Sequence, residues 1–316
     1  MSAHAAAPSA APAGLAEAER ADAHLLVVRG SQLAARVQSR PRVRRTLGLR
    51  HALRLAALRG RAEWALPGPR RAAVHRAAVL LGPGAPPADV RRFARTHLVE
   101  LAMQGELTWR PRDARRMPVR GLEHLEAARR GGGPTILTTV HVGTMVNAVY
   151  ALAARGHTLY LAGGRRADEP PLEGAAGRWV RRQNMWTEQM GSRFVHIGGG
   201  AYAVMLALLE RGELCWMNWD PPGGSLPIRF LGRTVHVRRG LASLALRTGA
   251  PVLPVFGWRE GPGQATEILP PLDPSDHPDE ATLNAALAAT LEAAIRPRLA
   301  QAQPIFVRYL QGLGPP

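Results

Sequence analysis

The chain has 316 residues, 46% apolar and 21% charged, which is enough to bury one large core or two modest ones and excludes a largely disordered polypeptide. Its formal charge is +17, carried by arginine with no lysine, and a surplus of that size favours a polyanionic partner: RNA, an anionic membrane surface or a phosphate-bearing donor. The single cysteine, Cys215, excludes a disulfide framework and a Cys-based zinc site, and its apolar setting reads as a buried structural thiol.

Residues 1–23 are Ala/Pro-rich, read as a flexible tail, and lack the basic-then-apolar order of a signal peptide. Residues 24–117 form a basic helical N-terminal region. Between Leu47 and Ala65 apolar residues recur at three- and four-residue spacing with arginines between them, which predicts an amphipathic basic helix. Such a helix suits an anionic membrane, an RNA, or a core contact with a solvated arginine face. The stretches "ALPGPRR" and "LGPGAPPADV" read as loops, and Asp89 opens a helix through about Gln104. No window approaches the ~20 apolar residues of a membrane span. The expected location is cytoplasmic, with peripheral attachment at the inner membrane face as an option.

From residue 118 to 316 the pattern alternates. Strands are predicted at "PTILTTV", "HTLYLAGG", "RFVHIGG", "ELCWMNWD", "PVLPVFGW" and "TEILPPL", with helices between them and a hairpin at "LPIRFLGRTVHV". The predicted fold is α/β: a mostly parallel central sheet flanked by helices, behind an N-terminal helical region.

Ligand crevices in such sheets lie beyond the carboxyl ends of the strands. His141 stands after the first predicted strand. Arg165 and Arg166 follow the second, Asn218 and Asp220 follow the fourth, and Arg238 and Arg239 precede the next helix. A base, an acid to orient it and cations for an anionic donor suit acyl transfer. Backbone amides near Gly143, at a helix start, are candidate oxyanion donors. His157, His196 and His236 read as structural. No metal-ligand spacing or Walker loop is present, and the reading calls for no cofactor.

The blocks "GLEHLEAARRGGGPTILTTVHVGTMVNAVYALAARG", "GSRFVHIGGGAYAVMLALLERGELCWMNWDPPGG" and "LPIRFLGRTVHVRRGLASLALRTGAPVLPVFGWR" resemble, in order, those of the lipid A late acyltransferases, within the lysophospholipid acyltransferase-like superfamily. The resemblance covers roughly residues 118–260. It implies His141 as the general base of an H-x4-D/E motif and Gly143 as the glycine inside it. It also implies Arg165 or Arg166 as a donor-binding arginine, Asp220 as the acid after a strand, and Gly232 and Arg233 as the F-x-G-R block. The motif acid is replaced by Val146. Either another acid substitutes (Asp220 or Glu188), or the acceptor is a readier nucleophile, or the fold binds without catalysing.

The expected function is transfer of an acyl group from acyl-CoA or an acyl carrier protein to a hydroxyl or amine, with Arg165, Arg166, Arg233, Arg238 and Arg239 toward the donor. A variant takes aminoacyl-tRNA as the donor and an amine or hydroxylamine as acceptor. An inactive binder of RNA or anionic membrane is the non-enzymatic alternative. DNA is not an expected partner.

Overall fold

The computed structural model describes residues 46–163, 174–196, 200–220 and 223–313. The predicted tail, Arg165 and Arg166 lie outside the described residues.

Four helices come first: α1 (Leu49–Glu63), α2 (Pro67–Leu81), α3 (Pro87–Thr108) and the short α4 (Pro111–Ala114). The basic amphipathic helix is therefore present as α1. It packs on α3 through small residues: Ala52, Ala56 and Gly60 are buried, and a Cβ on Gly60 would lie 2.7 Å from the Val99 main chain. The "ALPGPRR" stretch is a helix start and not a loop. Pro67 occupies the first turn of α2, where a missing N–H costs nothing and the fixed φ favours the helix.

The second part holds β1 (Val119–Arg120), α5 (Leu122–Ala128), β2 (Thr135–Thr139), α6 (Met145–Ala153), β3 (Tyr160–Ala162), α7 (Gly174–Gln189), β4 (Arg193–Val195), α8 (Ala201–Glu210) and β5 (Leu214–Asn218). The hairpin β6 (Leu226–Phe230) and β7 (Arg233–Val237) follows, then α9 (Gly240–Thr248), β8 (Val252–Glu260), β9 (Gly263–Ile268), α10 (Glu280–Ile295) and α11 (Pro304–Leu310). Helix α10 stops at Ile295, and a 3₁₀ turn over Arg296–Gln301 takes over where Pro297 interrupts it.

Seven strands form one sheet in the order β1-β9-β8-β2-β5-β3-β4, and β6-β7 stands apart as a two-stranded ribbon. All neighbours pair in parallel except β8 with β9. This matches the predicted α/β class. Every residue of β2 is buried, as expected of a strand covered on both faces. The side chains of β2 and its neighbours β5 and β8 alternate between two cores. Ile136, Cys215, Val252 and Phe256 face α8, α9, α10 and the hairpin. Leu137, Trp216, Leu253 and Val255 face α5 and α6. The N-terminal helices are tied to the C-terminal end of the chain: the His97 ring nitrogen Nδ1 lies 2.9 Å from the Ala300 carbonyl, and Gln104 Nε2 donates to the Gln301 carbonyl at 2.9 Å.

Candidate active site

The register of β2 with β5 builds the site. Thr139 pairs with Asn218 in parallel, so residues the same distance beyond each strand end remain side by side. His141 is two residues past Thr139, and Asp220 is two past Asn218. His141 Nδ1 lies 2.8 Å from Asp220 Oδ1, and the His141 main-chain N–H donates to Asp220 Oδ2 at 2.9 Å. One carboxylate thus grips both the ring and the backbone of the histidine. The Asp220 side chain is fully buried, while that of His141 keeps 17% exposure.

A carboxylate accepts, so the proton belongs on Nδ1 and the lone pair on Nε2. Asn218 Nδ2 stands 3.4 Å from that Nε2. The orientation of the Asn218 amide follows from Trp216, whose indole Nε1 donates to Asn218 Oδ1 at 3.0 Å. The lone pair therefore faces an amide donor. The Tyr309 hydroxyl is buried close to Asp220 and, among the described residues, has no hydrogen-bond partner; burial first, and the Asp220 charge second, push its pKa well above the usual phenol value.

The loop after His141 is clamped by the segment that follows the 3₁₀ turn. Gln303 donates its main-chain N–H to the His141 carbonyl at 2.9 Å and its Nε2 to the Gly143 carbonyl at 2.8 Å. Gly143 has φ +79, and a Cβ there would meet the Gly257 carbonyl oxygen at 2.2 Å. Its N–H donates to the Gln301 carbonyl at 2.9 Å, and the Thr144 N–H donates to the Gly257 carbonyl at 2.6 Å. Of the backbone amides near Gly143 expected as oxyanion donors, those of Gly143 and Thr144 are committed to holding the loop. Gln301 and Gln303 were not legible as site residues, because their contacts join positions some 160 residues apart in sequence.

Among the described residues, the candidate donor arginines Arg233, Arg238 and Arg239 take separate roles. Arg233, expected to face a donor, instead turns its Nη2 to the Val79 carbonyl at 2.5 Å and pins the hairpin to α2, where burial lowers its pKa. Arg239 pairs with Glu280 at 3.2 Å. Arg238 is exposed and lies over Gly223, three residues past Asp220. Glu188 is exposed on α7, and Val146 sits half-buried in the first turn of α6. Among the described residues, no group of three or more His, Cys, Asp or Glu is placed to hold a metal ion, and no helix is long and apolar enough to cross a membrane.

The family model for bacterial lipid A biosynthesis acyltransferases matches residues 93–308, well over half the chain. The protein belongs to this family. Phosphatidylinositol mannoside acyltransferase of Mycobacterium tuberculosis is 29% identical over 173 residues, 53% of this chain and 52% of the relative. The Mycolicibacterium smegmatis protein of the same name is 31% identical over 120 residues, 36% and 39% of the two chains. The chain spans about half the length of the first of these relatives, and less of the second. A 1-acyl-sn-glycerophosphate acyltransferase structure from Thermotoga maritima aligns with TM-score 0.38 and 14% identity, covering 63% of this chain and 81% of that one. In this acyltransferase family member, the acid beside the histidine comes from the end of β5 and not from α6.

Proposed function

We propose that the protein transfers an acyl group from a thioester, acyl-CoA or acyl carrier protein, to a hydroxyl or amine acceptor, with His141 as general base and Asp220 as the group that orients it. The observation that carries this reading is the double hold of Asp220 on the His141 ring and backbone, which puts the lone pair on Nε2 in a side chain that keeps 17% exposure. In the reaction, Nε2 takes the acceptor proton as the acceptor oxygen or nitrogen bonds to the thioester carbonyl carbon. The carbon–sulfur bond then breaks, and the imidazolium returns the proton to the departing thiolate. Asn218 Nδ2, beside Nε2, is placed to donate to the oxygen on which charge develops. The name of the mycobacterial relatives favours a sugar hydroxyl on a lipid as the acceptor.

The outer face of α1 supports peripheral attachment to an anionic lipid surface. Leu55 and Leu58, and Leu66 just past the helix end, are each more than half exposed, and Arg50, Arg54 and Arg61 are exposed on α1 with no acidic residue among them.

The test is transfer of a labelled acyl chain from acyl-CoA and from acyl carrier protein to glycolipid acceptors, with aminoacyl-tRNA as a separate donor arm. Thioester transfer that His141→Ala abolishes, in a protein of unchanged thermal midpoint, supports the reading. Transfer from aminoacyl-tRNA alone would replace the donor, and transfer untouched by His141→Ala would remove the base.

A further inference from the structure

A cavity of about 570 Å³ opens between the α3–α4 junction and the C-terminal half of α7. It lies away from the His141 edge. The last turns of α7 lead into the amino end of β4, whereas His141 follows the carboxyl end of β2, and the two strands run parallel through β5 and β3. Its walls carry Trp109, Arg110, Arg112, Arg115, Arg182 and Trp186. A second cavity of about 540 Å³ shares Arg112 and Arg115 and adds Arg116 and Ala154, at the far end of α6 from the dyad.

The charges here are unbalanced. Arg110 takes the available acids, Glu106 at 2.7 Å and Asp113 at 3.5 Å. Among the described residues no carboxylate stands within ion-pair distance of Arg112, Arg115 or Arg182. Arg182 is the unusual group. Its guanidinium carbon lies 4.5 Å from the Trp186 ring centre and 5.5 Å from that of Trp109. Its Nε is shut off from solvent and, among the described residues, has no hydrogen-bond acceptor. A buried donor without an acceptor costs stability and is rare in native proteins. Partial burial also lowers the Arg182 pKa. Trp186 is braced edge-on by Tyr150 of α6 at 6.3 Å, so the indole wall is anchored to the core.

We infer that this cavity binds a phosphate ester, with Arg112, Arg115 and Arg182 holding the phosphate and the Trp109 and Trp186 indoles lying against the organic part. Arginine forks match phosphate oxygens bidentately, and indoles supply apolar area that does not need to reorder. The phosphate can come from a nucleotide or from a lipid headgroup. The site is separate from the His141–Asp220 dyad and does not depend on the acyl-transfer reading.

The test is titration of the full chain, followed by tryptophan fluorescence and calorimetry, with adenosine 3′,5′-bisphosphate and with glycerol 3-phosphate. Adenosine and glycerol are the uncharged controls. Saturable binding of either phosphate ester is expected, weakened at least ten-fold in Arg112→Gln/Arg115→Gln and in Arg182→Gln, and unchanged in His141→Ala. The double variant guards against misfolding, because Arg112 and Arg115 are both exposed. Tighter binding of the bisphosphate identifies a nucleotide source, and tighter binding of glycerol phosphate a lipid headgroup. Absence of binding by both esters, equal binding of the uncharged controls, or unchanged affinity in both arginine variants would overturn the inference.

Discussion

The carboxylate of Asp220 does two separable things, and substitution tells them apart. It accepts from the His141 main chain and from the ring. Asp220→Asn keeps the size but presents an amide, which either donates toward Nδ1 and drives the ring proton to Nε2, or gives up the backbone contact. The expected result is a fall in kcat of about 10²- to 10⁴-fold, by analogy with loss of the orienting acid in other triads, with a smaller change in KM. Steady-state kinetics beside a thermal melt checks it. Gly143 answers to backbone geometry. Gly143→Ala puts a methyl group 2.2 Å from the Gly257 oxygen at a φ that costs side-chain-bearing residues about 1–2 kcal/mol on its own. The loop carrying His141 must shift, so activity is expected to drop by about 10² or more, since a 1 Å misplacement of reacting groups costs that much. The melt should fall by several degrees. Activity equal to wild type would show that the loop tolerates movement. At this scale the sequence named His141 and Asp220 from their places at strand ends, but not which oxygen meets which nitrogen. It also assigned Arg233 to a donor, because a side chain's direction on a hairpin is decided by whatever packs across from it, here the Val79 carbonyl.

Helix α1 shows how one amphipathic pattern serves two faces. Its small residues bury against α3, and its opposite side holds Leu55 and Leu58 among arginines, with Leu66 just past its end. Leu55→Asp/Leu58→Asp is expected to cut co-sedimentation with vesicles containing phosphatidylglycerol by ten-fold or more. The thermal midpoint should stay within a few degrees, because both side chains are exposed. Binding of wild type to neutral vesicles as strongly as to anionic ones would remove the arginines from the argument. The periodicity of α1 was legible because it repeats at helical spacing. Helix α2 was not, because Pro-Gly-Pro is a loop signal locally and a helix start only when the following residues, Ala72, Ala73, Ala77 and Leu80, have something to pack on.

At the scale of the whole molecule, the sheet is closed at its antiparallel side by charge. Arg120 of β1 makes two hydrogen bonds to Glu260 of β8, at 2.6 and 2.9 Å, and Arg298 of the 3₁₀ turn reaches the same carboxylate at 3.3 Å. The hydrogen bond from Arg120 is the main cause of a Glu260 pKa below the usual carboxylate range. A carboxyl group whose pKa is lower folded than unfolded stabilises fully above the unfolded value of about 4.3, and this contribution disappears as pH falls through the folded value. Glu260→Gln is therefore expected to melt a few degrees below wild type at pH 7, with the difference closing below about pH 4. Melts from pH 3 to pH 7 check it, and a constant difference across that range would mean the carboxylate charge is not what stabilises.

The sequence by itself determined the alternation of strand and helix and the placement of His141 and Asp220 at carboxyl ends of strands. These are local properties: hydrophobic period, run length and turn residues act within a few positions. Tertiary structure alone decided that β5 lies beside β2 in a register that brings Asp220 to His141, although α6, β3, α7, β4 and α8 separate the two strands in the chain. It also decided that Gln301 and Gln303 return to hold the histidine loop, and that Trp109 and Trp186 enclose Arg182. Strand order and long-range closure depend on which apolar faces cover one another across the whole core, and no window of sequence carries that information.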